Sequence, residues 1–159
     1  MQVFVPYPNP IQCAAALDFR RLNKQIFECK QIIKAIRGES TAWKNHPVVK
    51  MYRDHVYWLE CYQHCLECYR SSQILYSSDH DEAAMDYEMA EEWSATAQVI
   101  TPGFLTDEFT LHHKVRLYTK EPEYYTQWSN LGTSEENWYF VDGKMLVYKE
   151  GRLIRTEER

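Results

Sequence analysis

The chain has 159 residues, of which 45% are hydrophobic and 14% aromatic, enough for one domain with a substantial core. No apolar run approaches the roughly 20 residues that a membrane-spanning helix needs, and the N-terminus lacks the pattern of a secretory signal peptide. The odd number of cysteines, five, favours reduced thiols, so these features together predict a cytoplasmic protein.

The charge is distributed unevenly along the chain. The formal net charge of −5 argues by itself against binding to nucleic acid. However, residues 1–60 carry nine Lys and Arg against five Asp and Glu, whereas residues 61–112 carry one against ten. The basic N-terminal third can therefore form a local anion site, although the low overall charge predicts only modest non-specific affinity for DNA.

The first predicted elements are an extended arm and a long helix. Residues 3–10 contain three prolines, which favour an extended backbone. Residues 11–36 have the period of an amphipathic helix, and Gly38 follows as its terminator. The apolar stripe of this helix consists of Ala15, Phe19, Leu22, Ile26, Cys29, Ile33 and Ile36.

Three further segments are expected to be helical. Residues 48–71 form a second helix, with Pro47 in its first turn. Within a strongly acidic stretch at 77–100, residues 82–98 are compatible with a helix. Residues 105–119 form another helix, and a short helical turn follows Pro122.

The C-terminal segment has a different pattern. Two short apolar runs flank Asp142-Gly143, which predicts a β-hairpin, and Glu150-Gly151 indicates a further turn of a small β-meander. The elements together predict a mainly α fold: a single compact helical domain at 1–131 with an N-terminal extended arm and an acidic insertion at about 77–100, followed by a small C-terminal β-hairpin at 132–159.

A cluster of cysteines lies in the second predicted helix. Cys61, Cys65 and Cys68 have the spacing of a radical iron–sulfur site, and His64 could complete a zinc site. Structural zinc ligands seldom all come from one continuous helix, however. We therefore expect these thiols to be mainly buried in the core, and we expect neither a metal nor another cofactor.

Three groups of basic and polar residues are candidates for binding an anion. The first lies on the first predicted helix, the second at the N-terminus of the second helix, where free N–H groups attract anions, and the third on the helix at 105–119. The groups are Arg20, Arg21 and Lys24; Asn45 and His46; and His113 and Lys114. Each group alone could equally be an ordinary solvated surface with helical ion pairs.

Four segments carry the sequence motifs of one family. They are MQVFVPYP at 1–8, LDFRRLNKQ at 17–25 with Glu28, AWKNHPVVKM at 42–51, and PEYY at 122–125 preceded by His113 and Lys114. In order and spacing, over about residues 1–70 and 109–128, they resemble the pyrimidine-dimer DNA glycosylase (endonuclease V type) family in its bacterial and viral branch. The acidic segment and the C-terminal hairpin fall outside the resemblance.

The resemblance implies an enzyme of DNA repair that cleaves the glycosidic bond of a damaged base and then nicks the abasic strand as a lyase. An unprotonated amine attacks the sugar, and a terminal α-amine suits this role because its reference pKa is about 8. A carboxylate stabilises the sugar cation and moves protons. On this basis Met1 supplies the nucleophile, Glu28 is the general acid and base, and the arm places Met1 against the first helix. The three basic groups bind phosphate or nucleotide.

Two departures from the family pattern leave an alternative open. Gln2 is bulky and should leave Met1 in place, whereas the family exposes the amine of a small polar residue. Arg21 stands where those members have an acidic residue. The alternative is a non-catalytic relative that binds a nucleotide-like ligand, or a protein partner through the acidic segment 79–92, as a viral inhibitor or sequestering protein would. Convergence of Met1, Arg21 and Glu28 in one open pocket would favour the enzyme.

Overall fold

A computed structural model describes residues 1–75, 101–149 and 152–155. The acidic segment, with its predicted helix at 82–98 and the stretch 79–92, lies outside these residues. The described helices are α1 (Pro10–Ala16), α2 (Phe19–Ile36), α3 (Pro47–Tyr52), α4 (Val56–Leu75) and α5 (Asp107–Lys120), with 3₁₀ turns at Arg53–His55 and Thr126–Leu131. Three strands follow: β1 (Asn137–Val141), β2 (Lys144–Lys149) and β3 (Arg152–Arg155). The fold is mainly α, as the sequence predicts.

The first predicted helix is in fact two helices, and the single helix at 11–36 is wrong. Leu17 is extended (ψ 134°), and Asp18 caps α2 by accepting a hydrogen bond from the Arg21 N–H at 2.9 Å. An aspartate at this position favours a new helix start over continuation, because its carboxylate satisfies a free N–H of the next helix. The break also rotates the apolar stripe, so that Ala15 and Phe19 are exposed.

The second predicted helix is also divided. Pro47 begins α3 as expected, and His46 caps it by accepting from the Val48 N–H at 3.2 Å. The 3₁₀ turn at Arg53–His55 then separates α3 from α4. α5 begins behind the cap Thr106 and matches the helix predicted at 105–119.

The N-terminal arm lies inside the protein, and residues 2–6 are buried. Its backbone is hydrogen-bonded by side chains of three helices. The Phe4 N–H donates to Gln25 Oε1 at 2.9 Å, the Val5 N–H donates to His113 Nδ1 at 2.8 Å, and the Tyr62 hydroxyl donates to the Phe4 carbonyl. These bonds replace the partners that buried backbone would find in a sheet.

The C-terminal strands form an antiparallel sheet in the order β1-β2-β3. Asp142 (φ 52°) and Gly143 (φ 73°) turn β1 into β2, so the predicted hairpin and meander are confirmed. Trp138, Tyr139 and Val147 belong to the same hydrophobic core as the arm and the helices. The sheet thereby brings β1 against the N-terminus of the chain.

The clustered cysteines lie in α4, each as a thiol rather than in a disulfide. Cys61 and Cys65 are buried and Cys68 is partly buried. Within the described ranges, no three His, Cys, Asp or Glu side chains are grouped so that they could hold a metal ion. Of the helices in this part of the chain, none has both the length and the apolar content that crossing a bilayer requires.

Candidate active site

A cavity of about 140 Å³ opens where the arm, α2, α5 and β1 meet. Half of its lining residues have charged side chains: the lining consists of Met1, Gln2, Phe4, Arg21, Lys24, Gln25, Glu28, Arg116, Lys120 and Asn137. Met1 of the arm therefore lines one cavity with Arg21 and Glu28 of α2, the three residues that the sequence singled out.

The N-terminal residue is held on two sides. The Gln2 N–H donates to Glu28 Oε2 at 3.4 Å, and the Tyr139 hydroxyl donates to the Met1 carbonyl at 3.4 Å. The Glu28 side chain is only 15% exposed, and its Oε1 lies 4.0 Å from Lys24 Nζ. The chain terminus thus lies beside a carboxylate, as a nucleophilic amine with a neighbouring acid and base requires.

Gln25 determines the alignment of the arm with α2. Its side chain is 2% exposed; it accepts from the Phe4 N–H and donates to the Gln2 carbonyl at 3.2 Å. Because residues three and four apart share a helix face, Gln25 lies between Arg21 and Glu28 on one side of α2. Its two hydrogen bonds therefore place Met1 next to Glu28.

A second cavity, of about 340 Å³, adjoins the first and shares Phe4, Arg21, Lys24 and Lys120 with it. Arg20 and Glu121 complete its lining. Partial burial, together with the positive charges of Arg116, Lys24 and Arg21, lowers the pKa of Lys120. The two cavities thus have a concentration of positive charge that suits an anionic ligand.

Arg21 is held by its own neighbours. Its guanidinium lies 2.7 Å from Asp18 Oδ2, 3.5 Å from a Glu121 oxygen, and 5.6 Å from the centre of the Tyr125 ring. The Tyr125 hydroxyl donates to Asp18 at 2.7 Å. Partial burial opposes ionisation of Asp18, but the hydrogen bonds from Arg21 and Tyr125 lower its pKa overall. Asp18 thus offsets the charge of Arg21. The sequence alone did not reveal this ion pair, because nothing in it indicated a contact for Asp18.

Arg116 is a buried cation that the sequence analysis did not assign to the site. It is 4% exposed and donates to the Ser134 carbonyl at 2.7 Å, Glu135 at 3.1 Å and the Asn137 side chain at 3.2 Å. Tyr139 was also missed, because the C-terminal strands lie outside the family resemblance. Burial raises the pKa of Tyr139 to about 12, so its hydroxyl remains a donor at neutral pH.

The second and third predicted groups lie outside the cavities. Asn45 is exposed, and Lys114 Nζ lies 4.4 Å over the centre of the Tyr7 ring. His46 is close to the site, since burial and then the charge of the Met1 amine lower its pKa. The structure therefore places Arg20, Arg21 and Lys24 in the lining of the cavities and His46 near them. Asn45, His113 and Lys114 lie elsewhere.

The phosphate-binding role predicted for His113 is wrong. His113 is fully buried, and its Nδ1 accepts the Val5 N–H. Burial lowers its pKa to about 3, so the imidazole is neutral at physiological pH. From the sequence, the buried position of His113 could not be distinguished from the partly exposed position of Lys114, because the arm that covers His113 lies more than 100 residues earlier in the chain.

Fold and site together define a mainly α-helical protein whose N-terminal residue lies with a carboxylate in a cavity rimmed by cations. Residues 1–68 match the model of the pyrimidine dimer DNA glycosylase family, which confirms the resemblance found in the sequence. The matched segment contains Met1, Arg21 and Glu28 and ends within α4. No curated protein and no solved structure matches the chain. By its description, the family whose model matches consists of DNA glycosylases.

Proposed function

We propose that this protein is a DNA glycosylase with abasic-site lyase activity on damaged or modified bases. The proposal depends on one observation: Met1 and Glu28 line the same cavity, with the Gln2 N–H on the Glu28 carboxylate. The α-amine of Met1 is the nucleophile, and Glu28 is the general acid and base.

The chemistry requires one nucleophile and one group that exchanges protons. The neutral amine attacks C1′ of the damaged nucleotide, the N–C1′ bond forms, and the glycosidic bond breaks with its electron pair leaving on the base. Opening of the sugar ring then gives an imine. Loss of a proton from C2′ expels the 3′ phosphate, and water finally hydrolyses the imine. Glu28 stabilises the sugar cation and carries the protons in these steps.

The cations have a separate role in binding. Arg20 and Lys24 are exposed on α2, and Lys120 lies across the second cavity. Such side chains bind phosphates without reading sequence. We propose that they hold the strand on either side of the lesion, while Arg21 and Arg116, each paired with a carboxylate, line the cavity from within.

The test is to trap the imine by reduction. Borohydride added during reaction with an abasic or lesion-containing duplex should yield a covalent protein–DNA adduct that maps to the N-terminal peptide. Glu28→Gln should slow adduct formation by about 10²-fold or more with binding largely retained. The control Glu123→Gln, an exposed residue that lines neither cavity, should behave as the wild type.

A second candidate function is supported by Arg21, whose fixed positive charge stands where the family resemblance calls for a carboxylate. In that case the cavities bind a nucleotide-like ligand without chemistry. Failure to trap an adduct on abasic and several damaged duplexes, with nucleotide binding that is lost in Lys24→Glu, would replace the enzyme with this binder.

A further inference from the structure

Trp43 combines exposure with an unfavourable backbone conformation. Its side chain is 52% exposed, and its φ of 67° lies in the left-handed region. A residue with a large side chain seldom adopts this region, because Cβ approaches the neighbouring backbone. Asp142, in the hairpin turn, is the other described non-glycine residue with positive φ. Strain of this kind persists where surrounding contacts impose it, and it is concentrated at functional sites.

The loop that carries Trp43 is well anchored. Gly38 (φ 77°) follows the C-terminus of α2, and the Glu39 N–H donates to the Lys34 carbonyl at 2.9 Å. The His46 N–H donates to the Trp43 carbonyl at 2.8 Å, and the two rings meet edge to face at 5.7 Å. The indole is therefore presented to solvent from a defined position.

A continuous line of contacts joins this indole to the candidate nucleophile. The His46 ring packs edge to face against Tyr139 at 5.8 Å, and the Tyr139 hydroxyl donates to the Met1 carbonyl. Trp43 is thus connected through His46 and Tyr139 to the residue that contributes the candidate nucleophile. Its sequence neighbours Lys44 and Asn45 are also exposed, so the indole is flanked by polar groups that can contact phosphate.

We propose that Trp43 is a stacking platform for an unpaired nucleobase next to the cleavage site. The inference rests on the proposed function for its DNA substrate and adds a contact that recognises the base. A flat aromatic surface beside cations is the common means of binding single-stranded nucleic acid. It also offsets the cost of removing a base from the helix near a lesion.

The test compares strands that differ only in their bases. Binding of the full chain to a single-stranded oligothymidylate is measured against a strand of equal length and charge made of the tetrahydrofuran abasic analogue, which has no aldehyde and cannot form the imine. Trp43→Ala should weaken binding to oligothymidylate by about five- to a hundredfold and leave binding to the abasic strand unchanged. Trp43→Phe should retain most of the difference. The control is Tyr57→Ala, 58% exposed on α4, which should change neither affinity.

Thermal unfolding tests the strain separately. Glycine accepts positive φ without steric cost, so Trp43→Gly should melt at a higher temperature than Trp43→Ala while both lose the preference for bases. Equal melting temperatures of Trp43→Gly and Trp43→Ala would show that the backbone at this position is not strained, and would overturn the proposal. So would equal affinity of the wild type for the two strands, or unchanged preference in Trp43→Ala. Neither strand can react, since the oligothymidylate is undamaged and the analogue has no aldehyde. Failure of borohydride trapping with a Trp43-dependent preference would therefore reject the catalytic function and support the platform.

Discussion

Tyr139 joins the C-terminal sheet to the N-terminal residue through a single hydroxyl. Tyr139→Phe removes the donor to the Met1 carbonyl and keeps the ring that packs on His46. Since one hydrogen bond contributes about 0.5–1.5 kcal/mol, kcat for strand cleavage should fall a few-fold to about tenfold, with KM little changed. Steady-state kinetics on an abasic duplex measure both constants. Tyr148→Phe, an exposed residue of β2, is the matched control, and a rise in KM alone would contradict the positioning role.

His113 makes stability depend on pH in a defined direction. The folded-state pKa is about 3, against about 6.5 in the unfolded chain. Between these values the unfolded state binds more protons, so the free energy of unfolding should decrease as the pH falls, by at most about 1.4 kcal/mol per pH unit. His113→Asn keeps an acceptor for the Val5 N–H but cannot titrate, so its free energy of unfolding should vary less with pH. Because asparagine is smaller than the buried histidine, that free energy should also be lower than in the wild type.

Urea unfolding at several pH values between about 3.5 and 7 measures this dependence. Other acidic groups, Asp18 among them, affect wild type and variant alike, so the difference between the two curves isolates His113. His64→Asn, at an exposed position, should leave the slope unchanged. A slope that persists in His113→Asn would show that another group is responsible.

At the scale of elements, α2 presents two kinds of cation. Arg21 forms an ion pair with Asp18, and its guanidinium lies over the Tyr125 ring, whereas the side chains of Arg20 and Lys24 are exposed to solvent. Arg20→Glu with Lys24→Glu should therefore weaken DNA binding without unfolding the protein. For every phosphate that the variant no longer neutralises, the slope of log K against log salt should become shallower by about 0.9. The control is Lys34→Glu with Lys50→Glu, which makes the same change in net charge at exposed positions outside both cavities. Equal effects of the two pairs would mean that only net charge matters.

The same helix shows what the sequence could predict about elements. The apolar period identified α2, because burial of one face repeats every three to four residues. It did not reveal the break at Asp18, since α1 and α2 are both helical and an aspartate inside the pattern also fits a solvent-facing position. The hairpin was predictable from Asp142-Gly143, because those residues adopt the turn conformation locally.

At the scale of the whole molecule, the composition of the site was only partly predictable. Arg21, Lys24 and Glu28 could be placed together because they share a helix face. Tyr139, Asn137 and Arg116 could not, since their proximity to Met1 arises from long-range packing. His113 shows the same limit: in the sequence a histidine beside a lysine resembles a basic surface, and only the fold shows that the N-terminal arm covers it.

The buried arm also has a consequence for how the protein is made. Its first five residues are synthesised before any of their hydrogen-bonding partners, and the partner of the Val5 N–H lies 108 positions later in the chain. At translation rates of about 5–20 residues per second, that interval is about 5–20 seconds. During it, Val3, Phe4 and Val5, which are almost fully buried at the end, remain open to chaperones and to enzymes that modify nascent N-termini. The proposed nucleophile therefore reaches its position beside Glu28 only after α5 has been synthesised.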